Sequence, residues 1–176
     1  NDCSEARGLT LAEMEGRRLR DELGLALQAA ELCMWRVDEQ RRLSWNSIGD
    51  RLFGGTAVQL GYDTERWLGQ VVPADRERVR LHAQSLQQGA PPTPVQFWFR
   101  RLDNGELRLL ESIGQLQDDS GVRRQFGLLR DITSVQQAAA ENQRLSETLR
   151  LAIKAAELGI WEFDPATRRL DWDEAS

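Results

Sequence analysis

The chain is short of cysteine, histidine and lysine, and each scarcity removes a class of function. Its two cysteines, Cys3 and Cys33, lie far apart without metal-ligand spacing, so they build neither a zinc site nor a disulfide framework. A reduced, cytoplasmic setting is the expectation that follows. His82 is the only histidine, and neither cysteine has an evident base partner, so no catalytic constellation is visible. Lys154 is the only lysine; with 23 basic and 28 acidic residues the net charge is −5. The signs are interspersed, and no basic stripe of the kind a nucleic-acid groove needs is present. No apolar run approaches the roughly 20 residues that span a bilayer. No signal-peptide pattern or initiating methionine opens the chain. Glycines form neither a Walker nor a dinucleotide loop, and the many carboxylates are scattered on charged, solvated faces. The expectation is a non-enzymatic domain with no nucleic-acid or membrane contact of its own. It is either cytoplasmic or the cytosolic part of a membrane-tethered receptor.

What the chain does have is a repeat. Leu25 to Asp38 returns as Leu151 to Asp164, with Trp35 answered by Trp161 and Asp38 by Asp164. After a one-residue gap, Arg41-Arg42-Leu43-Ser44-Trp45 is answered by Arg168-Arg169-Leu170-Asp171-Trp172. A repeat decides architecture before any local pattern does. A whole domain's worth of chain follows the first copy, whereas the second runs only to Ser176. The expected divisions are a coiled-coil-like linker helix at 1–24, a complete module at 25–133, a connecting coiled-coil helix at 134–158, and the start of a second module at 159–176. A module of roughly 110 residues buries about two-thirds of its unfolded surface, enough for a core without staples. Any output domain is expected outside this piece of a larger protein.

Local patterns give the elements. Thr10-Leu11-Ala12-Glu13 has capping-box form and predicts a helix from Thr10 to about Leu32. Met34–Val37 and Leu43–Trp45 read as short strands about a polar turn. Four glycines between Ser47 and Gly69 predict short helices and turns there. Pro73 suits a first helical turn, and that helix should end before Gly89. Val95, Phe97 and Phe99 alternate with Gln96, Trp98 and Arg100, opening a three-stranded meander. Its turns are Asp103-Asn104-Gly105 and Asp118-Asp119-Ser120-Gly121, and its later strands are Leu107–Leu116 and Arg123–Arg130. A second capping box, Thr133-Ser134-Val135-Gln136, opens another long helix. The fold class is α+β, with an antiparallel sheet.

This order of elements resembles the PAS sensor family with its C-terminal PAC segment. Leu60-Gly61-Tyr62-Asp63-Thr64-Glu65, with Leu68-Gly69 after it, is similar to a turn of that family. Val72-Pro73-Ala74-Asp75-Arg76 is similar to its helix start, with Val72 and Ala74 replacing the usual histidine and aspartate. Asp103-Asn104-Gly105 stands at its hairpin glycine, and Gly127 followed by Asp131-Ile132-Thr133 matches its close. The resemblance covers about residues 25–134, and the terminal repeat resembles the opening of a second PAS domain. It implies a five-stranded antiparallel sheet with helices on one face around a small-molecule cavity, flanked by signalling helices. It also implies a sensing and relay module of a bacterial sensor histidine kinase or cyclic-di-GMP enzyme. The alternative is a ligand-free dimerisation and interaction scaffold.

Candidate cavity residues are Val79, His82 and Leu86 from the helix after Pro73, Phe97 and Phe99 from the first meander strand, and Leu129 from the last. Ordinary core is the competing role of each, and large side chains could leave no pocket at all. The cofactor is unknown. Heme-binding members of the family place a histidine on this helix, but His82 differs from them in its offset from the following glycine. Flavin would need a cysteine motif that Cys33 lacks, or a tryptophan nearer the strand start than Trp98. For relay, Val135, Ala138, Asn142, Leu145, Leu149, Ala152 and Ala156 take alternating three- and four-residue steps, the pattern of a coiled-coil seam. Asn142 takes an a-type position, where a buried amide pair fixes register. Ala12, Gly16, Leu19, Leu23, Ala26 and Ala30 repeat the phase near the N-terminus. With the family resemblance, the expected partner is a second copy, paired through both helices, with signals passing by Asp131 and Thr133 into Asn142, Leu145 and Leu149; the alternative is that these helices cover their own sheet.

Overall fold

The computed structural model describes residues 2–119, 121–155, 160–164, 167 and 169–173, with side chains described for 11–119, 121–155 and 167. It divides into two units, 1–133 and 134–176. The first unit opens with helix α1, Asp2–Ala29, so Thr10 lies inside the helix rather than at its start. An N-cap contributes only about 1 kcal/mol, and Glu5, Ala6 and Arg7 extend the helix past that motif at little propensity cost. Its other end comes before Leu32. Glu31 is left-handed (φ 52), and Leu32 N–H donates to Leu27 O at 2.9 Å while Glu31 N–H donates to Gln28 O at 3.2 Å. This is a Schellman stop built on a glutamate. The last turns of α1 carry Leu27, 7 % exposed, into the core.

Strands β1 (Cys33–Val37) and β2 (Leu43–Trp45) form a hairpin, followed by α2 (Ser47–Phe53) and α3 (Thr64–Leu68). Asn46 caps α2 through its side chain, and Asp63 caps α3 by accepting from the Glu65 and Arg66 N–H groups. Helix α4, Pro73–Gln87, begins at the proline and ends before Gly89. Strands β3 (Val95–Arg100), β4 (Leu107–Asp119) and β5 (Val122–Asp131) complete the unit. β4 extends beyond Leu116 because Asp119 pairs with Val122, which tightens the expected turn; Ser120 of that turn lies outside the described residues.

The five strands form one antiparallel sheet in the order β2-β1-β5-β4-β3. The alternation on β3 is fully expressed: Val95, Phe97 and Phe99 are buried while Gln96, Trp98 and Arg100 are exposed. The β3 edge does not lie open. Val72 N–H donates to Trp98 O and Arg100 N–H to Gln70 O, while Asp75 on α4 accepts the Trp98 N–H at 2.8 Å. That carboxylate ties the first turn of α4 to the sheet, and so fixes where α4 presents its inner face.

In the second unit α5, which starts at Thr133 and runs to Ala155, is followed by β6 (Ile160–Asp164) and β7 (Arg169–Asp173). These two strands form an antiparallel hairpin that pairs Trp161 with Trp172, Glu162 with Asp171 and Phe163 with Leu170. The β1–β2 hairpin pairs Trp35 with Trp45, Arg36 with Ser44 and Val37 with Leu43. The repeat thus keeps its pairing register, and the extra residue falls outside the paired strands. Ala156, the last position of the expected seam, lies outside the described residues.

Candidate functional site

The candidate site is a cavity of about 200 Å³ in the first unit, between the inner face of the sheet and helices α3 and α4. Its floor is Trp35. The indole reaches from β1 across two neighbouring strands, because Gly127 on β5 and Gly114 on β4 leave room for it. A Cβ at either glycine would stand 2.6 Å from the Trp35 ring, well inside contact distance. Trp35 Nε1–H donates to Ser112 Oγ at 3.0 Å, which satisfies the one polar group the ring brings inside.

Behind the cavity stands an aromatic cluster centred on Phe53. Its ring centroid lies 4.7 Å from Trp45, 4.9 Å from Phe99 and 5.9 Å from Trp67, and Trp67 meets Phe97 at 5.6 Å. Edge-on and tilted contacts of this kind are the arrangements aromatic rings prefer. Gly49 of α2 allows Trp45 to pack against the helix backbone, since a Cβ there would collide with the indole. Trp45 Nε1–H is taken by Asp50 Oδ1 at 2.9 Å.

Five of the six candidate residues meet at the cavity: Val79, His82, Leu86, Phe97 and Leu129. Phe99 is the exception. It shares a strand face with Phe97 but pairs with Val71 and sits under Phe53 and Trp67, fully buried in the layer behind. Sequence reasoning missed Trp35, Trp67, Ser112 and Gln125. Gln125 is buried, and its Nε2 donates to the Ala83 carbonyl of α4 at 3.2 Å, joining sheet to helix across the cavity. The available signal was Trp35 in the repeat together with Gly114 and Gly127 inside strands, since a glycine within a strand marks close approach by another group.

His82 is half-buried, and desolvation lowers its pKa below the ordinary 6.5, so the imidazole facing the cavity is neutral at pH 7. Neutral imidazole can ligate a metal, but the space around it is small. Sites for drug-sized ligands run to roughly 300–1,000 Å³, and a porphyrin does not fit here. Cys33 lies in the core on β1, where burial, reinforced by Asp50, pushes its thiol up to about 12. A thiol so disfavoured as thiolate is a packing group. Among the described residues no cluster of three or more metal-ligating side chains occurs. Nor is any helix among them long and apolar enough to cross a membrane.

The relay residues fall in two environments. Asp131 ends β5, pairs with Leu110 in the sheet, and meets Arg108 at 3.4 Å. Its Oδ1 accepts the Thr133 N–H at 2.8 Å and also the Thr133 hydroxyl proton. The Thr133 hydroxyl in turn accepts the Leu109 N–H at 2.8 Å, and Ile132 N–H donates to Leu109 O at 2.9 Å. Thr133 is therefore the first residue of α5, and its side chain bonds to the sheet instead of serving as the expected N-cap. Asn142, Leu145 and Leu149 are exposed, the two leucines at 57 % and 62 %.

Solved structures share this arrangement. A sensory box histidine kinase/response regulator from Burkholderia thailandensis E264 superposes with a TM-score of 0.58 at 21 % identity, over 73 % of this chain and 97 % of that one. The N-terminal domain of a diguanylate cyclase with PAS/PAC sensor from Marinobacter aquaeolei gives 0.51 at 15 % identity, over 60 % and 98 %. The fold is that of a PAS domain. A light-oxygen-voltage domain, solved in work on a flavin analogue, gives 0.51 at 19 % identity, over 72 % of this chain and 96 % of that one. No protein-family model matches the chain, and no curated protein matches it. At these identities the likeness concerns the PAS fold alone.

Proposed function

We propose that residues 25–133 are a sensory PAS module that binds a small molecule in the Trp35-floored cavity and passes its occupancy into α5. The observation that carries this reading is the course of β5. Gln125 and Leu129 form cavity wall, and two residues beyond Leu129 the same strand ends in Asp131, which holds the first residue of α5. A change in the wall thus has a short, hydrogen-bonded route to the helix start. The module catalyses no reaction. Its setting is a larger bacterial signalling protein, and the likeness to PAS structures from histidine-kinase and diguanylate-cyclase proteins supports that context. Residues 159–176 open a second PAS module, a reading supported by the shared register of the two hairpins.

The module works as a homodimer paired through α1 and α5. Support comes from leucines left exposed at seam positions: Leu19, Leu23, Leu145 and Leu149 are 50–62 % exposed in the single chain. Native mass spectrometry of the purified chain, with thermal shift across a metabolite panel, tests the ligand. A stoichiometric extra mass or a saturable shift is expected. A clean apo mass with no shift leaves the ligand-free scaffold as the function.

A further inference from the structure

The cavity rim carries a cation with no ion-pair partner among the described residues. Arg80 is held by Glu77 at 3.0 Å and Glu65 at 3.6 Å, and Arg124 holds Glu39 at 3.2 Å. Arg42 lies over the Tyr62 ring, 4.5 Å from its centroid, and Asp38 accepts the Arg42 N–H at 2.8 Å. Arg41 sits among these groups in the β1–β2 turn and lines the same mouth as Glu65 and Arg80. Among the described residues it has neither a carboxylate within ion-pair distance nor a side-chain hydrogen bond. The carboxylate and guanidinium side chains that line the cavity itself are Arg41, Arg80 and Glu65, two cations against one anion.

Inside, the chemistry is different. The walls are aromatic and aliphatic, chiefly Trp35, Trp67, Leu86 and Phe97. Of the inward polar groups, Trp35 is engaged with Ser112 and Gln125 with Ala83, while the buried Trp67 Nε1–H has no partner among the described residues. His82 adds no charge at pH 7, because burial holds it neutral. The cavity therefore presents an uncharged, aromatic-walled interior beneath a single cationic fork. A planar guanidinium is matched to a carboxylate, which it can grip through two parallel hydrogen bonds.

We infer that the ligand is a small amphipathic carboxylate, its flat apolar body among Trp35, Trp67 and Phe97 and its carboxylate at Arg41. This rests on the ligand-binding reading above and adds to it the chemical class. The test is calorimetric titration of the full chain with 2-naphthoate and with 2-naphthalenemethanol, which has the same ring system and no charge. Naphthoate should bind about tenfold tighter, a difference of about 1.4 kcal/mol. Arg41→Gln should erase that preference while leaving the alcohol unchanged, and Arg41→Lys should keep part of it. Equal or tighter binding of the alcohol to the wild type, or an unaltered naphthoate preference in Arg41→Gln, overturns the inference, as does the failure of both probes to bind. Ala83→Phe, which narrows the cavity from α4, separates the two levels. If both probes bind equally and this variant expels both, the cavity reading stands and the carboxylate falls.

Discussion

Leucines are common both in the PAS module and in the helices that flank it, yet they are treated in opposite ways. Leu86 and Leu110 are 2 % and 0 % exposed, whereas Leu145 and Leu149 are 57 % and 62 % exposed. The module closes its own core: a sheet face, three short helices and an aromatic cluster satisfy one another. The arms α1 and α5 carry leucines that the single chain leaves largely uncovered. Stability should therefore reside in the module, and association in the arms. Substitutions in the two regions should be separable by measurement.

The largest effect should come from the cavity floor. Trp35→Ala removes a ring spanning three strands and leaves Ser112 without its donor, and should cost about 3–5 kcal/mol in chemical denaturation. Leu145→Ala, by contrast, should change module stability by less than about 0.5 kcal/mol. Next is the seam. Leu145→Glu combined with Leu149→Glu should turn a dimer into a monomer by light scattering while the module keeps its melting behaviour; a wild type already monomeric at high concentration would remove the arm half of the contrast. Smaller again is Glu31→Gly at the junction. Glycine relieves a left-handed residue and should raise stability by about 1 kcal/mol. A loss instead would mean that the Glu31 side chain supports the junction.

The smallest effect is a pH dependence confined to the module. The folded pKa of His82 lies below its unfolded value, so the unfolded chain binds more protons in acid. The stability tied to neutral His82 is complete above about pH 6.5 and is lost as pH falls through the lower, folded pKa. His82→Gln should flatten the stability profile below about pH 6.5 and leave it unchanged above. An identical acid slope in both proteins would assign the loss to carboxylates elsewhere.

Much of this was readable from local pattern. Alternation on β3 put Phe97 and Phe99 on the buried face, and Pro73 placed the start of α4. Alternation gives the face of a strand but not the depth along it. Phe99 left the cavity because Val71 pairs beside it and Phe53 covers it, contacts made by residues far off in sequence. Trp35 was visible as a repeated residue, but its role depends on Ser112, Gly114 and Gly127 arriving beneath it from two other strands. At both capping boxes the motif was real as a pattern and was overruled by context. Neighbouring helix formers absorbed Thr10, and the sheet's own need for an acceptor at Leu109 claimed the Thr133 hydroxyl.

The claim that joins module to arm is that the state of the cavity reaches α5 through Asp131 and Thr133. Hydrogen exchange of the amides from Asp131 to Leu145, compared between the wild type and Ala83→Phe, tests it most directly. Filling the cavity should change exchange in the opening turns of α5 as well as in α4 and β5. Exchange altered in α4 and β5 but identical from Thr133 onward would contradict the relay.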